Sequence, residues 1–124
     1  MKKHLFIILS VAILAACGGS SSGNKKETAV SDITENPDYK AGFALISKSD
    51  CLTCHKVDEK LTGPSYRDVA NKYAGLPDTI VTHLAGKVIS GGSGVWGEII
   101  MLPHPAISQA DAEAMVKYIL LLKN

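Results

Sequence analysis

The sequence predicts a small all-α domain, and three observations carry that prediction. Two amphipathic segments with helix-start signals bracket the region from Pro37 to the C-terminus. Strand signals are scarce and no internal repeat is present. Between the segments lies Cys51-Leu52-Thr53-Cys54-His55, whose Cys-x-x-Cys-His spacing attaches a c-type haem. Four to five helices wrapped around one covalent haem are therefore expected.

The pentapeptide is the chemical centre of the chain. Two thiols three positions apart on a helical turn reach the two vinyl groups of one porphyrin, and His55 then presents its imidazole to the iron. A structural zinc site would need two more ligands at comparable spacing. No second cysteine pair exists, and His83 and His104 fall in no zinc pattern. A redox-active dithiol normally follows a strand in a βαβ pattern, and no such strand is found.

Taken from the start, the chain has a basic opening, Met1 to Lys3, and an apolar run from Leu5 to Ala16 broken only by Ser10. The run is too short to span a bilayer comfortably and reads as a secretory signal. It ends Leu14-Ala15-Ala16-Cys17, which resembles the lipobox of bacterial lipoproteins. That resemblance implies cleavage before Cys17 and acylation of its sulfur and amine. The competing reading is an ordinary cleavage site with an incidental cysteine. Three cysteines are then accounted for, one for lipid and two for haem, with none left for a disulfide.

Residues 18 to about 35 are mostly Gly, Ser, Lys, Glu, Thr and Asn with little to bury, a flexible tether of root-mean-square reach roughly 25 Å. The expected organisation is a signal peptide over 1–16, a lipidated cysteine and tether over 17–36, and the haem domain over 37–124. The domain would sit on the periplasmic or extracytoplasmic side of a bacterial membrane, held by its lipid anchor.

Asn36-Pro37 reads as N-cap and first position of a helix running to about Ser49, with Tyr39, Phe43 and Ile46 on one face. Gly42 within it marks either a close helix crossing or a tolerated glycine. Tyr66 to Tyr73 and Pro77 to Ile89 are shorter amphipathic segments, Pro77 at the first position of the second. The last helix begins at Ser108, which can cap, with Asp111 in its first turn, and runs to about Lys123. Ala112, Met115, Val116, Ile119 and Leu122 form its buried stripe, with Tyr118 beside it.

Two stretches resist helix: Val57 to Pro64, and Ser90 to Ile107 with its four glycines, Trp96, Met101, Pro103 and Pro105. Candidates for a second iron ligand are Met101, Met115, His83 and His104. Met115 lies on the apolar stripe and suits the core. His83 falls off the face made by Ile80 and Leu84 and suits solvent. Met101 precedes Leu102-Pro103, where neither helix nor a regular ladder is expected, and His104 competes with it.

From about Pro37 onward the chain resembles the short bacterial class I c-type cytochromes. The match comprises Cys51 to His55, Gly63-Pro64-Ser65-Tyr66, Asp68-Val69-Ala70, Lys72-Tyr73-Ala74-Gly75, Gly94-Val95-Trp96-Gly97, Met101 with Pro103, and the closing helix. The resemblance implies a small class I cytochrome c fold with Met101, not His104, as sixth ligand. It implies that the Pro64 carbonyl accepts the ring N–H of His55 and that the Trp96 indole bonds a haem propionate. Lys87 falls where relatives often carry an Arg near a propionate. Gly42 and Phe43 would meet the last helix near Tyr118. His104 stands where relatives commonly have an Asn that helps hold the methionine.

His and Met together would saturate the iron, leaving one-electron transfer as the chemistry. From Tyr39 onward nine Lys and Arg face eight Asp and Glu, so there is no basic face for nucleic acid. The expected function is a membrane-anchored, monomeric, mono-haem electron carrier, not an enzyme. By resemblance its donor is a quinol-oxidising complex and its acceptor a terminal oxidase or nitrite reductase. A peroxidase-like or gas-sensing protein would need a labile sixth ligand. A dithiol oxidoreductase would need Cys51 and Cys54 free.

Overall fold

The computed structural model describes residues 33–124; Cys17 and the expected signal lie outside them. Helix α1 spans Pro37–Lys48, α2 Tyr66–Tyr73, α3 Thr79–Ser90 and α4 Gln109–Leu121. A 3-10 turn, Asp50–Thr53, follows α1 directly. A helical turn over 33–35 already precedes Asn36, so the far end of the expected tether is helical. Among the described residues no helix is long and apolar enough to cross a membrane.

Three helices start on side-chain caps. Asn36 Oδ1 accepts from the Asp38 N–H at 2.8 Å, with Pro37 supplying a residue that has no N–H to satisfy. Ser65 and Ser108 cap α2 and α4 in the same way, accepting from Asp68 at 3.0 Å and Asp111 at 3.1 Å. Helix α3 begins two residues later than the sequence suggests. Pro77 belongs to the preceding turn, where its carbonyl accepts from the Ile80 N–H at 2.9 Å, and the N-cap Asp78 makes no side-chain cap bond.

Helix α4 is the hub against which α1, α2 and α3 pack. Ile46, Tyr66, Ala70, Met115, Tyr118 and Leu122 form one buried cluster, and Ala85, Ala112 and Val116 a second. At the α1–α4 crossing Gly42 lies against the Ala114 carbonyl and the Tyr118 Cβ, too close for any side chain. The glycine is therefore there for the crossing. Tyr39 meets Tyr118 edge-on at 4.9 Å, which closes that end of the core. Ile119 is only partly buried, because it faces the cavity described below.

One expectation needs correction. The stretch before Pro103 is not free of a ladder: β1 (Gly92–Gly94) and β2 (Gly97–Met101) form an antiparallel hairpin. Met101 pairs with Gly92, and Gly94 with Gly97, with an irregularity between. Proline withdraws only its own N–H from a ladder, and Pro103 stands two residues beyond Met101. The all-α class holds, with this small hairpin added.

Candidate haem site

The 3-10 turn and the loop after it build one wall of the site. The Cys51 carbonyl accepts from the Cys54 N–H at 3.2 Å and the His55 N–H at 3.0 Å, which coils the pentapeptide tightly. The Gly63 N–H returns to the Cys54 carbonyl at 2.9 Å and brings Pro64 alongside. His55 Nδ1 then lies 2.8 Å from the Pro64 carbonyl oxygen. A carbonyl only accepts, so the proton sits on Nδ1 and the Nε2 lone pair is left for a metal.

Two further residues hold the imidazole. Tyr66 stacks on it at 5.4 Å, nearly parallel at 16°. Gly63 lets it lie against the backbone, since a Cβ there would come within 2.7 Å of Nδ1. Burial pushes the Tyr66 hydroxyl well above its usual range and also raises the Cys51 thiol, to which the Asp50 charge adds.

The opposite wall comes from the hairpin. Helix α3 ends on Gly91, whose φ of 67° is a left-handed conformation open to glycine. A Cβ at Gly91 would also strike the Met101 carbonyl and lie 2.9 Å from the Pro103 nitrogen. Gly91 thus sets the Met101 segment against the end of α3. In the sequence it is one of four glycines in this stretch; the signal that singles it out is that it is the first of them, two residues past Ile89, the last apolar residue of α3.

Between the walls lies a cavity of about 290 Å³. Cys51, Cys54, His55, Pro64, Lys87, Trp96 and Met101, the residues expected from sequence, all line it. His83, His104 and Met115 reach it as well, so the other candidates for the iron are neighbours of the same space. They differ in their other commitments: Met115 is 3% exposed within the core cluster, and His104 engages both ring nitrogens with protein. Ile46, Leu84, Val88, Ile99 and Ile100 supply an apolar lining. Ile99 and Ile100 are 63% and 66% exposed, with no neighbour among the described residues that buries them. At the rim the Lys72 ammonium lies 5.2 Å over the Trp96 ring.

This donor set fits haem c. Two cysteines half-buried or exposed and free of disulfide, an imidazole with Nδ1 committed, and a thioether meet in one apolar cavity. A small helical fold with such a site defines a covalent haem protein of the c type. The chain belongs to the cytochrome c family, whose family model, described as "Cytochrome c", matches residues 39–123. Haem c is its cofactor, the protein is a mono-haem electron carrier, and it is not an enzyme.

The chain is 47% identical to cytochrome c-552 of Nitrosomonas europaea over 88 residues, covering 67% of this chain and 84% of that one. It is 42% identical to cytochrome c-551 of Azotobacter vinelandii over 84 residues, 68% of this chain and all of that one (100%). The crystal structure of the Nitrosomonas europaea cytochrome c552 superposes with a TM-score of 0.62, covering 65% of this chain and 99% of that chain. A class 1 cytochrome of Sideroxydans lithotrophicus, 31% identical, superposes at 0.56 over 67% of this chain and 94% of its own. The short class I fold expected from the sequence is the fold observed.

Proposed function

We propose that this protein is a lipid-anchored carrier of single electrons whose haem iron is held by His55 and Met101. The observation that carries the proposal is the meeting of Cys51, Cys54, His55 and Met101 on one apolar cavity. Cys51 and Cys54 form the thioethers. When bound, the haem supplies a one-electron ferric–ferrous couple.

The chain's own residues tune and guard that couple. Pro64 keeps the proton on His55 Nδ1, which orients the ring and makes Nε2 a better donor. Met101 contributes a neutral, soft sulfur, which favours the ferrous state. The apolar lining excludes water and lowers the local dielectric. Trp96 and Lys87, both on the cavity wall, would hold the propionates.

Lipid on Cys17 would keep the exported domain at a bacterial membrane, with residues 1–16 removed and the segment to about residue 36 as its leash. There it would take electrons from a quinol-oxidising complex and pass them to a terminal oxidase or nitrite reductase, acting as a monomer. The absorption spectrum of the purified haem protein tests the iron site. A sharp reduced α-band with a long-wavelength sulfur-to-iron band in the ferric state is expected. Ready binding of carbon monoxide without that band would instead make the protein a sensor or peroxidase.

A further inference from the structure

Helix α4 carries no basic residue in its last turn, and the last carbonyls of a helix have no partner within it. Arg67, from α2, brings both a charge and donors to that end. Its Nη1–H donates to the carbonyl of Leu122, the C-cap of α4, and lies 3.3 Å from Asn124 Oδ1. Its Nε–H donates to Asp58, in the loop that leads from His55 to Pro64. Its backbone N–H donates to the Val57 carbonyl of that loop at 3.0 Å. One turn along α2, Asn71 Oδ1 accepts from the Asn124 N–H at 3.0 Å. The end of α4 is thus strapped along α2 at two points.

Between the strap and the haem site stands Tyr66. It is 4% exposed, shares a buried cluster with Leu122, and stacks on the His55 imidazole at 5.4 Å. We propose that Arg67 is a positioning residue: by strapping the end of α4 to α2 it seats Tyr66 against the His55 ring. The bond to Leu122 carries the effect. Asp58 is 64% exposed, and an exposed ion pair contributes little. A guanidinium suits the role because its planar fork reaches acceptors in two directions, whereas an ammonium is a point charge. For its effect on the iron, the proposal rests on His55 being an axial ligand; the seating of Tyr66 does not.

The test uses the haem-loaded ferrous protein, in which NMR reads the rate of Tyr66 ring flips and the His55 Nδ1–H resonance. Arg67→Met keeps the aliphatic stem and removes the fork. Ring flips should become about 2- to 10-fold faster, the worth of one hydrogen bond. The Nδ1–H resonance should move, and the reduction potential should shift with it. Asp58→Asn should change all three less than Arg67→Met does. Ser108→Ala is the control, since it removes the cap at the opposite end of the same helix. It should lower the melting temperature and leave the flips and the resonance as they are.

If Arg67→Met flips at the parent rate, or if Ser108→Ala speeds the flips equally, the strap is overturned. Should Arg67→Met fail to fold, Arg67→Lys carries the same test: an intermediate flip rate is expected, and the parent rate overturns the assignment. If the flips respond while the His55 ring protons lack the large upfield shift of a ligand over a porphyrin, the ligand reading falls and the strap stands.

Discussion

The Pro64 carbonyl oxygen accepts the Nδ1–H of His55 at 2.8 Å, across nine residues of chain. The bond requires the ring to stand close to the backbone of Gly63, where a Cβ would lie 2.7 Å from Nδ1 and 2.9 Å from Nε2. Bond and gap together determine which way Nε2 points.

Gly63→Ala should therefore push the imidazole off its carbonyl. Overpacking of this kind costs about 1–3 kcal/mol. The haem protein should melt at lower temperature and show a shifted reduction potential. Wild-type values for both would mean that the ring has room the geometry denies.

Gly42→Ala separates packing from the iron site. The new methyl would meet the Ala114 carbonyl and Tyr118 in the α1–α4 crossing, again at about 1–3 kcal/mol. No cavity-lining side chain is touched, so the absorption spectrum should stay as it is. Denaturant melts and spectra of the same sample check both halves.

These two glycines show what can be read from the chain. The pentapeptide, the caps at Asn36 and Ser108 and the apolar stripe of α4 are local patterns, and each is legible. Gly42 has two meanings in the sequence because its partners, Ala114 and Tyr118, lie more than seventy residues away. The bond from Arg67 to Leu122 is hidden for the same reason. Family likeness brings Met101 to the cavity wall but does not reveal its strand, because Pro103 suggests a break in the ladder that reaches no further than its own missing N–H. The start of α3 slips by two residues, since Pro77 is equally at home in a turn.

Alkali should unfold the domain through its tyrosines. Tyr118 is 2% exposed, and burial first, then the nearby Tyr39, pushes its hydroxyl up to about 12; burial raises Tyr66 as well. A phenol whose folded value lies above its unfolded value, about 10, stabilises the fold fully below the lower value. That stability is lost as pH rises through the higher one. Circular dichroism should report loss of structure between about pH 10 and 12. Tyr118→Phe should move the alkaline midpoint upward, and a midpoint that stays put would show that these hydroxyls do not control the transition.

Cys17→Ser should release the protein from membranes while leaving the haem domain folded. Leu14-Ala15-Ala16-Cys17 and the polar residues after it motivate this. Cell fractionation with a haem spectrum of each fraction is the check. Variant protein still in the membrane fraction would refute lipid anchoring through this cysteine.

Met101 gives the sharpest separation. Met101→His would replace a neutral, soft sulfur by a more basic nitrogen while keeping the iron six-coordinate. The ferric state gains more from that exchange than the ferrous, so the potential must fall. Met101→Ala would remove the sulfur altogether, and the ferrous protein should then bind carbon monoxide. Met115 lines the same cavity but is packed among Ile46, Tyr66 and Tyr118. Met115→Ala should cost about 2–5 kcal/mol of stability and move the potential little. His104→Asn should shift the potential modestly, because it alters what holds the sulfur's segment and not the ligand itself. Redox titration and spectra of these four variants, with the spectrum of His104→Ala beside them, decide the matter. Should Met101→Ala keep the parent spectrum while His104→Ala loses it, the sixth ligand is His104.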